Sequence, residues 1–142
     1  MSELRTIYCR TRGLMTPVIR ARFWSAWSHC GILTPDDTVI EATFWHGVRE
    51  IRVEEFIKRA SKWEEKRIAC DSPLAGIAWA RSQIGKRYDI LGALGIGLNR
   101  KWQSDRAWFC SEFLEQAVVM AGRLRFLSET WRIDPQMSYN VA

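Results

Sequence analysis

The chain has 142 residues, 47% of them hydrophobic and 26% charged, a balance that sustains one compact core and leaves too little chain for a second domain. No run of about 18 apolar residues occurs, and the start lacks a basic stretch followed by a long apolar one, which excludes a transmembrane segment and predicts a cytoplasmic protein without an export signal. The net charge of +5 comes from 21 Lys and Arg scattered against 16 Asp and Glu, a spread that argues for a soluble surface mildly attractive to anions and against a nucleic-acid-binding stripe.

Residues 4–10 alternate apolar and polar side chains and predict a strand. Thr16-Pro17 offers an N-cap with proline in the first turn, so a short helix is expected over 17–26. Residues 28–33 and 38–43 read as two strands joined by the turn formers Pro35-Asp36-Asp37, a hairpin carrying His29 on one arm and Glu41 on the other. A strand at 48–52, a helix at 54–61 and a strand at 66–70 follow, and Ser72-Pro73 opens a helix that reaches Gln83. Residues 85–89 form a turn. Residues 90–98 are apolar with glycine at 92, 95 and 97, which predicts a closely packed helix; no Lys-Ser/Thr follows, so they do not form a phosphate loop. After a polar loop at 99–106, Ser104 or Asp105 is placed to cap the strongest helix, which runs to Ala121 and stops at Gly122, with Phe113, Leu114, Ala117, Val118 and Ala121 on its buried face. The tail, 123–142, shows little periodicity and is expected to wrap the surface. Eight tryptophans in so short a chain suggest that some line a groove.

The four cysteines lie far apart, with no Cys-x-x-Cys pair and no His or Cys at metal-ligand spacing, so neither a metal nor another cofactor is expected. Cys9, Cys30 and Cys70 sit in apolar, strand-like settings that suit inert core thiols. Cys110 differs, because it falls in the first turn of the strongest helix, where the helix dipole favours a thiolate. Of the two histidines, His46 lies in a turn and suits a surface or packing role, whereas His29 stands inside a strand and must face a cleft or find a partner. The hairpin brings positions near 30 opposite positions near 41, so Glu41, flanked by Ile40 and Ala42, is placed to orient the His29 imidazole. A nucleophile, a base and an orienter are the parts of a covalent catalytic triad.

Four short motifs carry a resemblance: Ser28-His29-Cys30-Gly31, Ile40-Glu41-Ala42, the Gly-x-x-Tyr-Asp turn ending in Tyr88-Asp89, and the Trp-x-Cys-Ser-Glu helix start from Trp108 to Glu112. In this order, histidine before cysteine, they resemble the circularly permuted papain-like amidases, YiiX-like relatives of the NlpC-type cell-wall peptidases that are also similar to lecithin retinol acyltransferase. The likeness spans residues 28–113. It implies an α+β fold, an antiparallel sheet packed against helices with the nucleophile at a helix N-terminus. It further implies Cys110 as nucleophile, His29 as general base and then acid, Glu41 as orienter and Tyr88 as oxyanion donor, the last worth on the order of 3 kcal/mol. Asp89 and Glu112 match motif positions too and suit packing or capping. No leader, lipid-attachment cysteine or wall-binding domain is expected from this sequence, a departure from the wall enzymes.

The function expected on these grounds is a cysteine hydrolase acting on a peptide-like amide, such as a murein stem peptide, through an acyl-enzyme on Cys110. The alternatives are an acyltransferase or lipid esterase or thioesterase of the same fold, and a non-catalytic module holding a peptide or lipid in an aromatic groove. The expected partner is a small peptide-like or acyl substrate and not a nucleic acid; a released or phage-associated protein is the alternative to a cytoplasmic one.

Overall fold

A computed structural model describes residues 2–11, 26–43, 45–88, 107–108, 110–126, 133 and 135–142. The expected helices at 17–26 and 90–98 and the loop at 99–106 lie outside these residues, apart from the last residue of the first, Ala26. In chain order the described elements are β1 (Ser2–Thr11), β2 (His29–Leu33), β3 (Thr38–Thr43), β4 (Gly47–Arg52), α1 (Val53–Lys58), β5 (Ala60–Cys70), α2 (Pro73–Ser82), β6 (Arg87–Tyr88), β7 (Ala107–Trp108), α3 (Cys110–Met120) and α4 (Pro135–Asn140).

The first five strands form one sheet in the order β4-β3-β2-β1-β5, antiparallel throughout. This is the α+β, antiparallel architecture expected from the sequence. Both faces of the sheet are covered. On one face Leu4, Tyr8, Cys30, Ile32, Ile40 and Ala42 pack against α2 and α3; on the other Ile7, Cys9, Leu33 and Val39 pack around Phe56 of α1. The central strand β2 is therefore buried along its whole length, and its sequence lacks polar alternation for the same reason. Pro35 to Asp37 close the β2–β3 hairpin, with Asp37 at φ 55°, a left-handed turn position that Asp tolerates.

Three expectations are corrected. The helix expected over 54–61 ends at Lys58, and the strand expected over 66–70 begins at Ala60 and pairs with nearly all of β1. The first half of β5 is a charged outer strand, held by backbone pairing and guarded by its Lys and Glu side chains, so it carries no apolar alternation to read. The tail also holds a helix, α4, in which Ser138 is fully buried, and Ile133 ahead of it is buried too. It is docked by polar contacts: Tyr8 and Ser138 share a hydroxyl hydrogen bond of 2.9 Å, Ser138 donates to Glu115, and Arg125 pairs with Glu115.

The strongest helix starts at Cys110, because Ala107–Trp108 is drawn into a short parallel pair with Arg87–Tyr88. A cap at Ser104 or Asp105 falls outside the described residues and too far upstream of that start. The helix stops as expected: Gly122 has φ 90°, its N–H donates to Val119 and that of Arg123 to Val118, the bond pair of a Schellman ending. α2 and α3 pack closely at Gly76, where an added Cβ would lie 2.7 Å from the Ala117 carbonyl oxygen.

Candidate active site

Cys110 is the first residue of α3 and His29 the first residue of β2, and the two lie near enough for thiol and imidazole to act on each other's titration. On its other side the His29 ring closes on β3: Nε2 lies 2.7 Å from Glu41 Oε2. With Nε2 taken by the carboxylate, the nitrogen left for the thiol is Nδ1. Ile32 pairs with Ile40 and Leu33 with Val39; continued along the hairpin, that register makes His29 and Glu41 diagonal neighbours on one face, within side-chain reach. Gly31 lies between them, and a Cβ there would come within 2.6 Å of Val39 Cγ1 and 3.1 Å of the Ile40 carbonyl. The glycine of the Ser-His-x-Gly motif thus keeps the face open on which His29 and Glu41 meet.

Glu41 is fully buried, and its charge is answered from two further directions. Arg49, its direct partner in the β3–β4 register, donates Nε–H to Oε1 at 3.0 Å, and Arg59, just after α1, donates from Nη2 to both oxygens at 2.8 Å. Burial alone would raise the Glu41 pKa; the hydrogen bond and charge of His29 and the Arg59 guanidinium outweigh it and hold the carboxyl at about 2. Phe56 fixes the assembly from below. Its ring stacks on His29 at 5.7 Å between centroids, and the Arg59 guanidinium lies 5.5 Å from the same ring.

The thiol has a second neighbour. Cys30, next to His29 in β2 but pointing to the opposite face, belongs to the same core cluster as Cys110 and acts on its titration. The Cys30 thiol is the largest influence lowering the Cys110 pKa, burial opposes it, and the hydrogen bond and charge of His29 add to it, giving about 5. For His29, burial is the largest influence and lowers the pKa; Cys110 and Glu41 together overcome it and raise the value to about 9. The two shifts run in the directions that favour the proton on the imidazole and a thiolate at the sulfur, in a pair that titrates together. Cys30 is pushed the other way, by burial first and then by the neighbouring thiolate, and stays protonated.

The structure thus brings together three of the four expected residues: Cys110, His29 and Glu41. Of Tyr88 the backbone is described and the side chain is not. Tyr88 pairs with Trp108, two residues before the thiol, and its segment is tied to β4 by Val48 N–H to Lys86 O at 2.7 Å and Gly85 N–H to Val48 O at 3.0 Å. Asp89 lies outside the described residues. His46 is exposed in its turn, and Glu112 is buried in the first turn of α3.

Sequence reasoning missed Arg49, Arg59, Phe56 and the influence of Cys30 on Cys110. Arg49 was within reach of it, since the hairpin that follows Glu41 puts an arginine directly opposite. Of the tryptophans expected to line a groove, Trp27 belongs to the core, while Trp45 and Trp63 are exposed. Cys110 is 1% exposed and His29 7%.

No helix among the described residues is long and apolar enough to cross a membrane. No known protein family and no curated protein matches the sequence. Among solved structures, the fold is similar to the crystal structure of metalloprotein yiiX from Escherichia coli O157:H7 (DUF1105), with a TM-score of 0.67 and 19% sequence identity. The match covers 84% of this chain and 66% of that one, so the chain spans just under two thirds of that protein's length, and what the two share is the fold.

Proposed function

We propose that the protein is a cysteine hydrolase or acyltransferase in which Cys110, His29 and Glu41 act as nucleophile, acid–base and orienter. The single observation that supports this reading is the buried His29–Glu41 pair at 2.7 Å, with Cys110 acting on the titration of the same imidazole. The Cys110 thiolate attacks a carbonyl carbon, and His29 gives its proton to the departing amine or alcohol. The neutral imidazole then takes a proton from water, or from an acceptor nucleophile, which releases the acyl group. Glu41 holds the ring so that one nitrogen faces the sulfur throughout. The N–H groups at the start of α3 are placed for the oxyanion, and we assign the second donor to the Tyr88 hydroxyl.

The order of the motifs, histidine before cysteine, supports a permuted papain-like arrangement. A peptide-like amide is the first substrate class, and an acyl ester or thioester the second. The yiiX protein is described as a metalloprotein; in this chain, no group of three or more His, Cys, Asp or Glu among the described residues is placed to hold a metal ion. Both Glu41 oxygens already serve His29 and two arginines, so the donor set does not fit a metal, and no step of the proposal runs through one.

A non-catalytic module is the second reading, favoured by the burial of Cys110. Intact-mass measurement after incubation with an activated acyl ester and with a peptide anilide separates the two. The enzyme gains one acyl group on Cys110, and Cys110→Ala gains none. A folded protein that takes up no acyl group, with four equally sluggish thiols, is a binding module.

A further inference from the structure

Oε2 of Glu41 is shared between His29 Nε2 at 2.7 Å and Arg59 Nη2 at 2.8 Å, while Oε1 takes Arg49 Nε at 3.0 Å and Arg59 Nη2 at 2.8 Å. The Arg59 guanidinium and the imidazole are thus neighbours across a single oxygen atom. Two arginines face one carboxylate, which leaves one positive charge unanswered. Both guanidiniums also have donors left over. Arg49 engages only its Nε, and neither of its Nη groups bonds to any of the described residues. Arg59 engages only Nη2, and its Nε is buried without an acceptor, a costly state for an N–H group. Neither side chain is sealed in: Arg49 is 28% exposed and Arg59 39%. The surrounding charges deepen the imbalance. Helix α1 starts with Glu54 and Glu55 and ends with Lys58 before Arg59, so its acids lie at the far end. Glu50, next to Arg49 in β4, points to the opposite face and is held by Arg81 and Thr38. One step beyond the Cys9–His29 pair, Arg10 stands directly opposite Lys62, a like-charged pair that strand pairing by itself disfavours.

We propose that Arg49 and Arg59, besides holding Glu41, form an anion-binding subsite beside His29, so that the preferred substrate carries a carboxylate. The inference rests on the hydrolase or acyltransferase reading and narrows its substrate class to an acidic amide or ester. A singly charged group is what two arginines and one glutamate leave to be balanced. The free edge of the Arg49 guanidinium presents parallel N–H groups that match the two oxygens of a carboxylate, a fit that an ammonium group does not offer. Arg49 therefore supplies the fork, and Arg59 supplies the adjacent charge. Glu41 stands between the arginines and the imidazole, so the substrate carboxylate binds without taking the place of the acid that orients His29.

The test compares two compounds that differ at one group: succinyl-alanine 4-nitroanilide, with a free carboxylate, and its succinamyl counterpart, in which that carboxylate is an amide. Hydrolysis is followed on the unsubstituted protein, Arg49→Gln and Arg49→Lys, and binding of both compounds is measured by calorimetry on Cys110→Ala with and without Arg49→Gln. The carboxylate compound is expected to be favoured by about tenfold or more, in KM and in Kd. Arg49→Gln removes the preference, and Arg49→Lys, which keeps the charge and loses the fork, retains part of it. The quantity read is the ratio between the two compounds, because a merely structural loss of Arg49 weakens both alike. Equal treatment of the two compounds by the unsubstituted protein, or binding of neither, overturns the subsite, as does a preference that survives in folded Arg49→Gln. If Arg49→Gln does not fold, the ratio in the unsubstituted protein and in Arg49→Lys decides. A carboxylate preference in binding, with no hydrolysis and no acylation of Cys110, overturns the hydrolase reading and leaves the subsite standing.

Discussion

Arg59 reaches both carboxylate oxygens of Glu41 at 2.8 Å, while His29 holds one of them at 2.7 Å. The acid that orients the proposed base is itself pinned by a cation from outside the sheet. A carboxylate held this way has no freedom to accept a proton, so it serves as a fixed charge and leaves proton transfer to the imidazole.

The ion pair sets the pH dependence of Cys110. Its folded pKa of about 5 predicts alkylation that rises through pH 5 and stays level above it, while acyl transfer also declines above pH 9 as His29 loses its proton. In His29→Ala the midpoint moves up toward the ordinary thiol range. A higher-pKa thiolate is also intrinsically more nucleophilic, so the two effects nearly cancel at pH 7, whereas at pH 5.5 the rate falls by roughly tenfold or more. Iodoacetamide kinetics between pH 4 and 9 check this; an unchanged midpoint in His29→Ala would remove the imidazole from the account.

Glu41→Gln removes the charge that helps to raise His29, so the alkaline limb of acyl transfer moves down from about 9 toward the ordinary imidazole value. The folded pKa of Glu41 lies below its unfolded one, so its contribution to stability is complete above pH 4.5 and is lost as pH falls through about 2. Glu50 and Glu65 are also held low by arginines, so the quantity to compare is the difference between the two proteins. Urea titrations at pH 6, 4 and 2.5 should show a deficit in the variant of about 1–3 kcal/mol at pH 6, less than for a fully buried pair because both arginines keep a solvent-facing side. The deficit should shrink toward pH 2.5, and a pH-independent one would contradict the assignment.

Gly31→Ala places a Cβ 2.6 Å from Val39 Cγ1, an overlap that costs about 1–3 kcal/mol. Adding Val39→Ala frees the space, so the double variant should recover part of that loss, measured as a coupling energy in a double-mutant cycle. A Gly31→Ala protein within about 0.5 kcal/mol of the original would mean that the hairpin yields at this point.

The hairpin with His29 and Glu41 was legible because its turn chemistry and its alternation agree. Arg59 was not: it enters from the end of α1, and only the packing of that helix over the sheet brings it to Glu41. Cys30 is the core thiol that its apolar strand suggested; its influence on Cys110 was not legible, because strand alternation turns it away from His29. α4 escaped because six residues are too few to show a period, and its anchors are mostly polar, with Tyr139 alone packed against Tyr8 and Trp27 among its described ring contacts.

Those anchors give a further test. Arg125 and Glu115 are almost fully buried and joined to Ser138 of α4. Arg125→Met alone strands a buried carboxylate and should destabilise the fold by about 3–5 kcal/mol, whereas Arg125→Met with Glu115→Leu should restore most of it. Thermal melts of the three proteins decide between a paired and a dispensable network.

The contact of α2 with α3 at Gly76 works on the thiol by leverage. Two turns of α3 separate Ala117 from Cys110, and a rigid helix transmits displacement at one point to its end, so the gap between sulfur and imidazole is gauged by a hydrogen atom at position 76. A methyl group there would shift Cys110 from a distance, leaving the sheet, His29 and Glu41 as they were.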